Sequence, residues 1–507
     1  MRFLRNLFLI SVLAIACAGQ ASAEDLVIIR TNDTHSLIDP DLTDGLGGVA
    51  RRKVLIDSIR AEHPGRTLLV DAGDMVQGTL FFNLYYGELE EKLMNKLGYD
   101  IRILGNHEFD NGMEALAKNL KDADAEMVCT NYQFRGTPLE GIFDRYTIKE
   151  IDGKRIAFIG INLKPQGMIS RRNFKGMGYN DAIEAANLTA KYLKEIERVD
   201  AVIALTHIGY LDSNPTDVNL AEASKDIDII IGGHSHTPID PADGKYPYIV
   251  NNAAGKPVLI TQTGKDGKAI GEIRINLDSI GIGATPRYKV IGVDKRLDSR
   301  VDPSVEEIIK PYRAEVDKYN ARYIADAPHF LPHRCTELQN FAADFIEDRT
   351  RQMVPDLDFV IINKGGLRHA VGKGKVSEGD AITLMPFFNR AQVVELKGDK
   401  VIEVFDTIAA KGGNAVSRQI YAEYDSQAKH CPVLLLNGKH IDPEKTYKVG
   451  TIDYLSEGGD YMTGFTDCTV IAESPDYVFN DLVKYLRKKK KISASAKPRM
   501  VPAMSEK

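Results

Sequence analysis

Five short runs rich in Val, Ile and Leu, each leading into polar residues able to bind a metal ion, constrain this chain more than any other feature. Leu26–Ile29 leads to Asp33-Thr34-His35, and Thr67–Val70 to Gly73-Asp74. Ile101–Leu104 leads to Gly105-Asn106-His107-Glu108-Phe109-Asp110, Ala201–Leu205 to Thr206-His207, and Ile227–Ile231 to Gly233-His234-Ser235-His236. Apolar runs of this length read as strands buried on both faces. In open α/β sheets, ligands bind beyond the carboxyl ends of the strands. The five loops therefore aim Asp, Asn and His at one crevice, and this predicts a metal site. A lone His or Asp in a loop is usually a cap or a solvated residue. Here five of the 11 histidines fall in these loops, none apart from other candidate ligands.

A phosphoester resists hydrolysis because water is a weak nucleophile and its target is already negative. Two divalent ions about 3.5–4 Å apart generate hydroxide near neutral pH and neutralise charge on the phosphoryl oxygens. Such a site needs a carboxylate able to bridge the ions, with imidazole, carboxylate or amide ligands around it. Asp33 and His35, two residues apart, share one side of an extended segment. Asp74 can bridge, and Asn106, His207, His234 and His236 complete the set. His107 adjoins a ligand and need not be one. Asp110, three residues on, could hold its ring in one tautomer. A His so held can stabilise charge on the phosphoryl group or protonate the leaving oxygen. These ligand types suit Zn, Mn, Co or Fe and do not choose among them.

The N-terminus, residues 1–23, has Arg2 and Arg5, an apolar core Leu7–Ala16, and the small residues Ala21-Ser22-Ala23. It reads as a signal peptide cleaved before Glu24, which places the protein in the periplasm or outside the cell. The alternative is a lipoprotein anchored at Cys17, since Ala14-Ile15-Ala16-Cys17 resembles a lipobox. The apolar core is too short to span a bilayer, and no other run is long enough. The formal net charge of -6 argues against a nucleic-acid polymer as partner. Cys129, Cys335, Cys431 and Cys468 show no CxxC spacing, so a disulfide is allowed and a thiolate metal site is not expected.

From residue 26 to about 290, strand-like and helical runs alternate, which argues for a layered α/β unit spanning residues 24–298. Helices are expected at Gly48–Ala61, Leu80–Leu97, Gly112–Lys121 and Tyr179–Glu197. Asp302-Pro303-Ser304 then opens a charged helical connector within residues 299–326. A smaller unit follows over 327–490, with helix Thr336–Arg351, strand Phe359–Ile362 and a glycine-rich loop. Residues 491–507 read as a solvated basic tail.

The five motifs, in this order and spacing, resemble those of the calcineurin-like metallophosphoesterases, and more narrowly the secreted 5′-nucleotidase family. The resemblance implies a four-layer α/β/β/α catalytic domain with two metal ions, followed by a smaller α+β nucleotidase C-terminal domain. It implies that Asp33, His35, Asp74 and His236 surround one ion and that Asp74, Asn106, His207 and His234 surround the other, with His107 and Asp110 as the catalytic pair. Asn363-Lys364-Gly365-Gly366-Leu367-Arg368 resembles the C-terminal phosphate motif, in which glycines admit the ligand and the arginine grips phosphate. Asn363, Gly366 and Arg368 are its candidate binding residues. Pro386-Phe387-Phe388-Asn389 resembles one half of an aromatic clamp on the base, with Phe387 stacking and Asn389 reading the base edge. Thr451 to Asp460 resembles the other half, with Tyr454 as second ring and Asp460 accepting from ribose. Arg334 is a further candidate for phosphate.

Two departures stand out: Lys364 replaces a glycine, and Phe388 replaces a small residue, which predicts an added phosphate contact and a narrower base pocket. The reading is a phosphohydrolase acting on nucleoside 5′-monophosphates, monomeric or dimeric, with hinge motion near residues 300–330. UDP-sugar diphosphatase and 2′,3′-cyclic nucleotide phosphodiesterase activities are alternatives on the same site. A branch acting on sulfur compounds is disfavoured by the Phe387/Tyr454 pair. A nucleotide-binding protein without turnover is disfavoured by the complete ligand set.

Overall fold

The computed structural model describes residues 25–211, 215–281 and 285–503. The expected leader, Met1–Ala23 with Cys17, lies outside them.

Two six-stranded sheets face each other in the N-terminal part. The first has the spatial order Arg287–Gly292, Ala269–Ile275, Leu26–Thr31, Thr67–Asp71, Ile101–Arg102, Glu126–Met127. The second runs Ile249–Asn251, Pro257–Thr261, Ile229–Ile231, Ala201–His207, Lys154–Asn162, Tyr146–Ile151. Alternation along each strand divides the side chains between layers. Leu26, Ile28, Leu68 and Val70 meet Ile156, Phe158, Ile203 and Leu205 between the sheets. Val27, Ile29 and Leu69 point outward under helices Val49–Glu62, Leu80–Tyr85 and Glu88–Leu97. On the far side, Ala157, Ile159, Val202 and Ala204 pack under helices Ala182–Tyr192 and Asp217–Ala223. The result is the four-layer α/β/β/α arrangement.

Helix Pro303–Asn320 follows, with Pro303 in its first turn and the Asp302 carboxylate accepting from the Ser304 amide. It packs on both parts: Tyr312 meets Tyr85 edge-on at 4.6 Å and Arg313 pairs with Asp39 on the N-terminal side, and the helix also lies against helix Glu378–Leu384 on the C-terminal side. The C-terminal part holds a five-stranded sheet, in the order Ala415–Val416, Phe359–Ile362, Thr446–Ile452, Arg390–Lys397, Thr469–Tyr477. A four-stranded sheet of Lys439–His440, His430–Leu436, Ile420–Asp425 and Met500–Pro502 lies beside it.

Two expectations are corrected. Leu80–Leu97 is two helices, because Tyr86 and Gly87 take φ values of 56° and 94° and break the chain between them. The stretch 491–507 is not a free tail as far as residue 503: Ile492 is fully buried and Met500–Pro502 pairs with Ile420–Asp425. The apolar residues in this basic segment make the difference. All four cysteines within the described residues are free thiols. Among the same residues no helix is long and apolar enough to cross a membrane.

Candidate active site

The five motif strands do not share a sheet. Leu26–Thr31, Thr67–Asp71 and Ile101–Arg102 belong to one, Ala201–His207 and Ile229–Ile231 to the other. Their carboxyl ends meet at the same rim, so the crevice is formed by both sheets.

Two groups of candidate metal ligands converge there: Asp33, His35 and His236 in one, Asp74, His207 and His234 in the other. Within each group the ligand atoms lie within 4.8 Å of one another. Asn106 joins the second group through its side-chain oxygen, 2.9 Å from Nδ1 of His234. Asp33, His35, Asp74, His234 and His236 all have positive φ, between 46° and 78°. Non-glycine residues adopt that region at a cost, and strained residues cluster at functional sites. Glycine makes the approach of two loops feasible: a Cβ on Gly105 would collide with the Asp74 carboxylate.

The donor set fits divalent ions. In His207, Nδ1 donates to the Ala72 carbonyl at 2.7 Å, leaving Nε2 facing the cluster. That Nε2 is buried, lies 3.1 Å from an Asp74 oxygen and has no aligned hydrogen-bond partner. His35 repeats the pattern, with Nδ1 on the Val76 carbonyl at 3.2 Å and Nε2 only 2.9 Å from Nε2 of His236. Imidazoles fixed through one nitrogen by a carbonyl, with the other turned inward, are arranged as metal ligands. Burial first, and the neighbouring His236, hold the His35 ring well below its ordinary pKa; burial and His207 hold His234 down at about 3. Both are neutral, as ligands must be, whereas at His207 the Asp74 carboxylate overcomes burial and raises the ring to about 10, so an ion binding there has a proton to displace. Asp74 is held well below the carboxylate range even though burial pushes the other way, because His207 and His107 outweigh it.

His107 stands beside these groups. Its Nδ1 is 2.9 Å from Oδ2 of Asp110. Burial opposes charge on the ring, yet the Asp110 and Asp74 carboxylates raise its pKa. Burial likewise raises Asp110 against the pull of His107.

One cavity of about 200 Å³ joins this wall to the C-terminal part. Asp74, Asn106, His107, Asp110, His234 and His236 line one side, and Asn363, Arg368, Phe387, Asn389, Tyr454 and Asp460 the other. The Phe387 ring stacks on His107 at 5.7 Å, and the Arg368 guanidinium lies 5.6 Å from the same ring. The Tyr454 hydroxyl is 3.3 Å from an Asp460 carboxylate oxygen. A second cavity of about 260 Å³, at Asp25, Lys256, Arg274 and Arg287, lies at the opposite ends of the strands and has no imidazole.

Some expected residues fall elsewhere. Arg334 does not line the cavity: its guanidinium donates to the Leu367 carbonyl at 3.2 Å and to the Gly365 carbonyl at 3.5 Å. Gly365, rather than Gly366, lines the main cavity; Gly366 borders a small side pocket with Asn363 and Phe387. The Lys364 ammonium also turns away, onto the carbonyls of Lys411 and Gly412. The Phe388 ring packs against Phe82, Tyr86, Tyr477 and Phe479 and so bridges the two parts of the chain, although the residue also borders the cavity.

Other residues were not foreseen. The Glu108 carboxylate, inside the longest motif, accepts from the amides of Gly105, Met75 and Asp74 and so clamps two ligand loops together. Its place between His107 and Asp110 was the available signal. Met168, Ser170, Arg172 and Asn173 line the cavity from a loop that carries no metal-ligand motif. That loop does follow a buried strand, Lys154–Asn162, as the motif loops do.

Comparison with known proteins gives the same picture. Residues 26–238 match the calcineurin-like phosphoesterase family, and residues 324–467 match the 5′-nucleotidase C-terminal domain. A Bos taurus 5′-nucleotidase is 27% identical over 92% of this chain and 89% of its own length. The trifunctional nucleotide phosphoesterase protein YfkN of Bacillus subtilis is 27% identical over 95% of this chain, which spans only 35% of that protein. The crystal structure of a 5′-nucleotidase precursor from Thermus thermophilus superposes with a TM-score of 0.84 at 27% identity, covering 95% of this chain and 100% of its own. With both domain types matched in order along one chain, this protein belongs to the 5′-nucleotidase family of metallophosphoesterase hydrolases.

Proposed function

We propose that this chain is an exported phosphohydrolase that releases phosphate from nucleoside 5′-monophosphates. The observation that carries the reading is the single cavity with His107 and members of both ligand groups, His236 from one and Asp74 and His234 from the other, on one wall and Arg368, Phe387 and Tyr454 on the other. In this reading residues 24–298 form the catalytic domain, 299–326 the connector and 327–490 the substrate-binding domain.

Asp33, His35, Asp74 and His236 would hold one divalent ion, and Asp74, Asn106, His207 and His234 the second. Bound there, the ions supply water activation and charge neutralisation. The chain's own residues do the rest. Asp110 accepts from Nδ1 of His107 and keeps the ring protonated, so Nε2 donates to the phosphoryl or leaving oxygen. Arg368 is half-buried with its guanidinium against Phe387, and grips phosphate through its planar fork. Phe387 and Tyr454 stack on the base, Asn389 reads its edge, and Asp460 accepts from ribose.

The test is phosphate release from AMP, UMP, UDP-glucose and 2′,3′-cyclic AMP by purified residues 24–507, with and without chelator. Fast, chelator-sensitive release from AMP that collapses in His107→Ala is expected. A strong preference for the sugar diphosphate or the cyclic substrate would keep the site and replace the substrate. Tight AMP binding with no release under any metal would overturn the enzymatic reading.

A further inference from the structure

The loop that follows strand Lys154–Asn162 supplies one guanidinium that touches both halves of the proposed base clamp. Arg172 Nη2 donates to the Phe388 carbonyl at 3.1 Å, between Phe387 and Asn389. Its Nη1 lies 2.6 Å from Oδ2 of Asp453, the residue before Tyr454. The Asp453 side chain is only 1% exposed, and its other oxygen accepts from the Tyr454 amide at 2.8 Å. The two aromatic segments therefore do not set their spacing alone. A side chain from the opposite part of the molecule spans them.

The same loop is fastened further. The Tyr454 hydroxyl donates to the Gly167 carbonyl at 3.2 Å. Ser170 Oγ and the Arg171 amide donate to one Glu457 oxygen at 2.7 and 3.0 Å. In the other direction, the Asn173 amide group donates to the Asp110 carbonyl at 3.0 Å. Residues 172 and 173 thus join the clamp to the backbone of Asp110, whose carboxylate holds His107. A planar fork can hold a carbonyl and a carboxylate at fixed spacing, which a single ammonium cannot. Removing one partner of an ion pair whose carboxylate is buried is also costly, because the other charge is left uncompensated.

We propose that Arg172 is a positioning residue for substrate choice. It fixes the gap between Phe387 and Tyr454 and, through Asn173, links an occupied clamp to the His107–Asp110 pair. The favoured class is a phosphate ester carrying a planar aromatic base, over the same ester without one. The inference rests on the nucleotide reading above.

Steady-state kinetics with AMP and with ribose 5-phosphate, which lacks only the base, test it in wild type, Arg172→Ala and Arg172→Lys. Arg172→Ala should lose about 10- to 100-fold in kcat/KM for AMP, mainly through KM, and about twofold or less for ribose 5-phosphate. Arg172→Lys should recover only part of the loss. Tyr454→Ala should add little when combined with Arg172→Ala, since both act through one clamp. Retained turnover of ribose 5-phosphate certifies that each variant is folded. Equal losses on both substrates, or an additive double variant, would overturn the proposal. A wild type that does not prefer AMP over ribose 5-phosphate overturns the nucleotide reading itself and this inference with it.

Discussion

Burial pushes the His107 pKa down, and the nearby Asp110 and Asp74 carboxylates overcome it and raise it. Removing the first of these tests the pairing. Asp110→Asn should lower kcat about 10²- to 10⁴-fold with KM for AMP nearly unchanged, measured at saturating metal. Glu90 offers a test on stability instead. It is buried, with neither carboxylate oxygen in an aligned hydrogen bond, and burial raises its pKa to about 7 from 4.5. Folding thus holds a proton that the unfolded chain releases above its own pKa. Stability falls as pH rises from about 4.5 towards 7 and stays low beyond. Glu90→Gln should therefore be near neutral at pH 4.5 and stabilising by on the order of 3 kcal/mol at pH 8. Denaturation midpoints at the two pH values decide it; equal shifts at both would refute the buried-acid account. Arg334 marks a limit of reading at this scale. An arginine near a glycine loop can bind phosphate or the loop's own carbonyls, and only the fold decides which.

At the scale of elements, the motif loops were legible because each needs a buried strand before it and ligands after it. Which sheet each strand joins was not legible. Runs such as Ile28-Ile29 and Ile203-Ala204 are apolar on both faces, so their pattern cannot say which face meets the second sheet. The break at Tyr86-Gly87 was hidden for a related reason, since apolar spacing continues across it. Loop contacts are equally silent in sequence, and Gly73 and Gly105 show why they matter. A Cβ at Gly73 would stand 2.5 Å from the Gly105 amide nitrogen. Gly105→Ala should leave circular dichroism unchanged while sharply lowering the metal retained after dialysis. Full metal content in that variant would argue against the two-loop approach as a requirement.

At the scale of the molecule, the connector helix packs on both parts, against the N-terminal layers through Tyr312 and Arg313 and against helix Glu378–Leu384 beyond it, so any relative motion of the two parts has to break one of these seams. Closed contacts across the junction include Asn83 Nδ2 to the Pro386 carbonyl at 2.7 Å and His369 Nε2 to the Gly78 carbonyl at 2.6 Å. If substrate enters by opening this junction, Asn83→Cys paired with Pro386→Cys and joined by a reducible cross-linker should stop turnover, and reduction should restore it. Undiminished turnover in the joined form would show that no opening is needed. The first half's chemistry was readable because ligand types are few and clustered. The second half's recognition residues rest on resemblance and remain a proposal, because single aromatic residues and arginines have many uses.

The loop bearing Arg172 and Asn173 also limits how this protein can be recombined. Exchanging residues beyond the connector for those of a relative would import new recognition rings. It would leave in place the foreign strap that spaces them. A chimera built on the obvious two-part boundary should keep its hydrolytic chemistry and lose selectivity, unless residues 163–176 travel with the second half. The seam along which this enzyme can be re-tailored is therefore discontinuous in sequence.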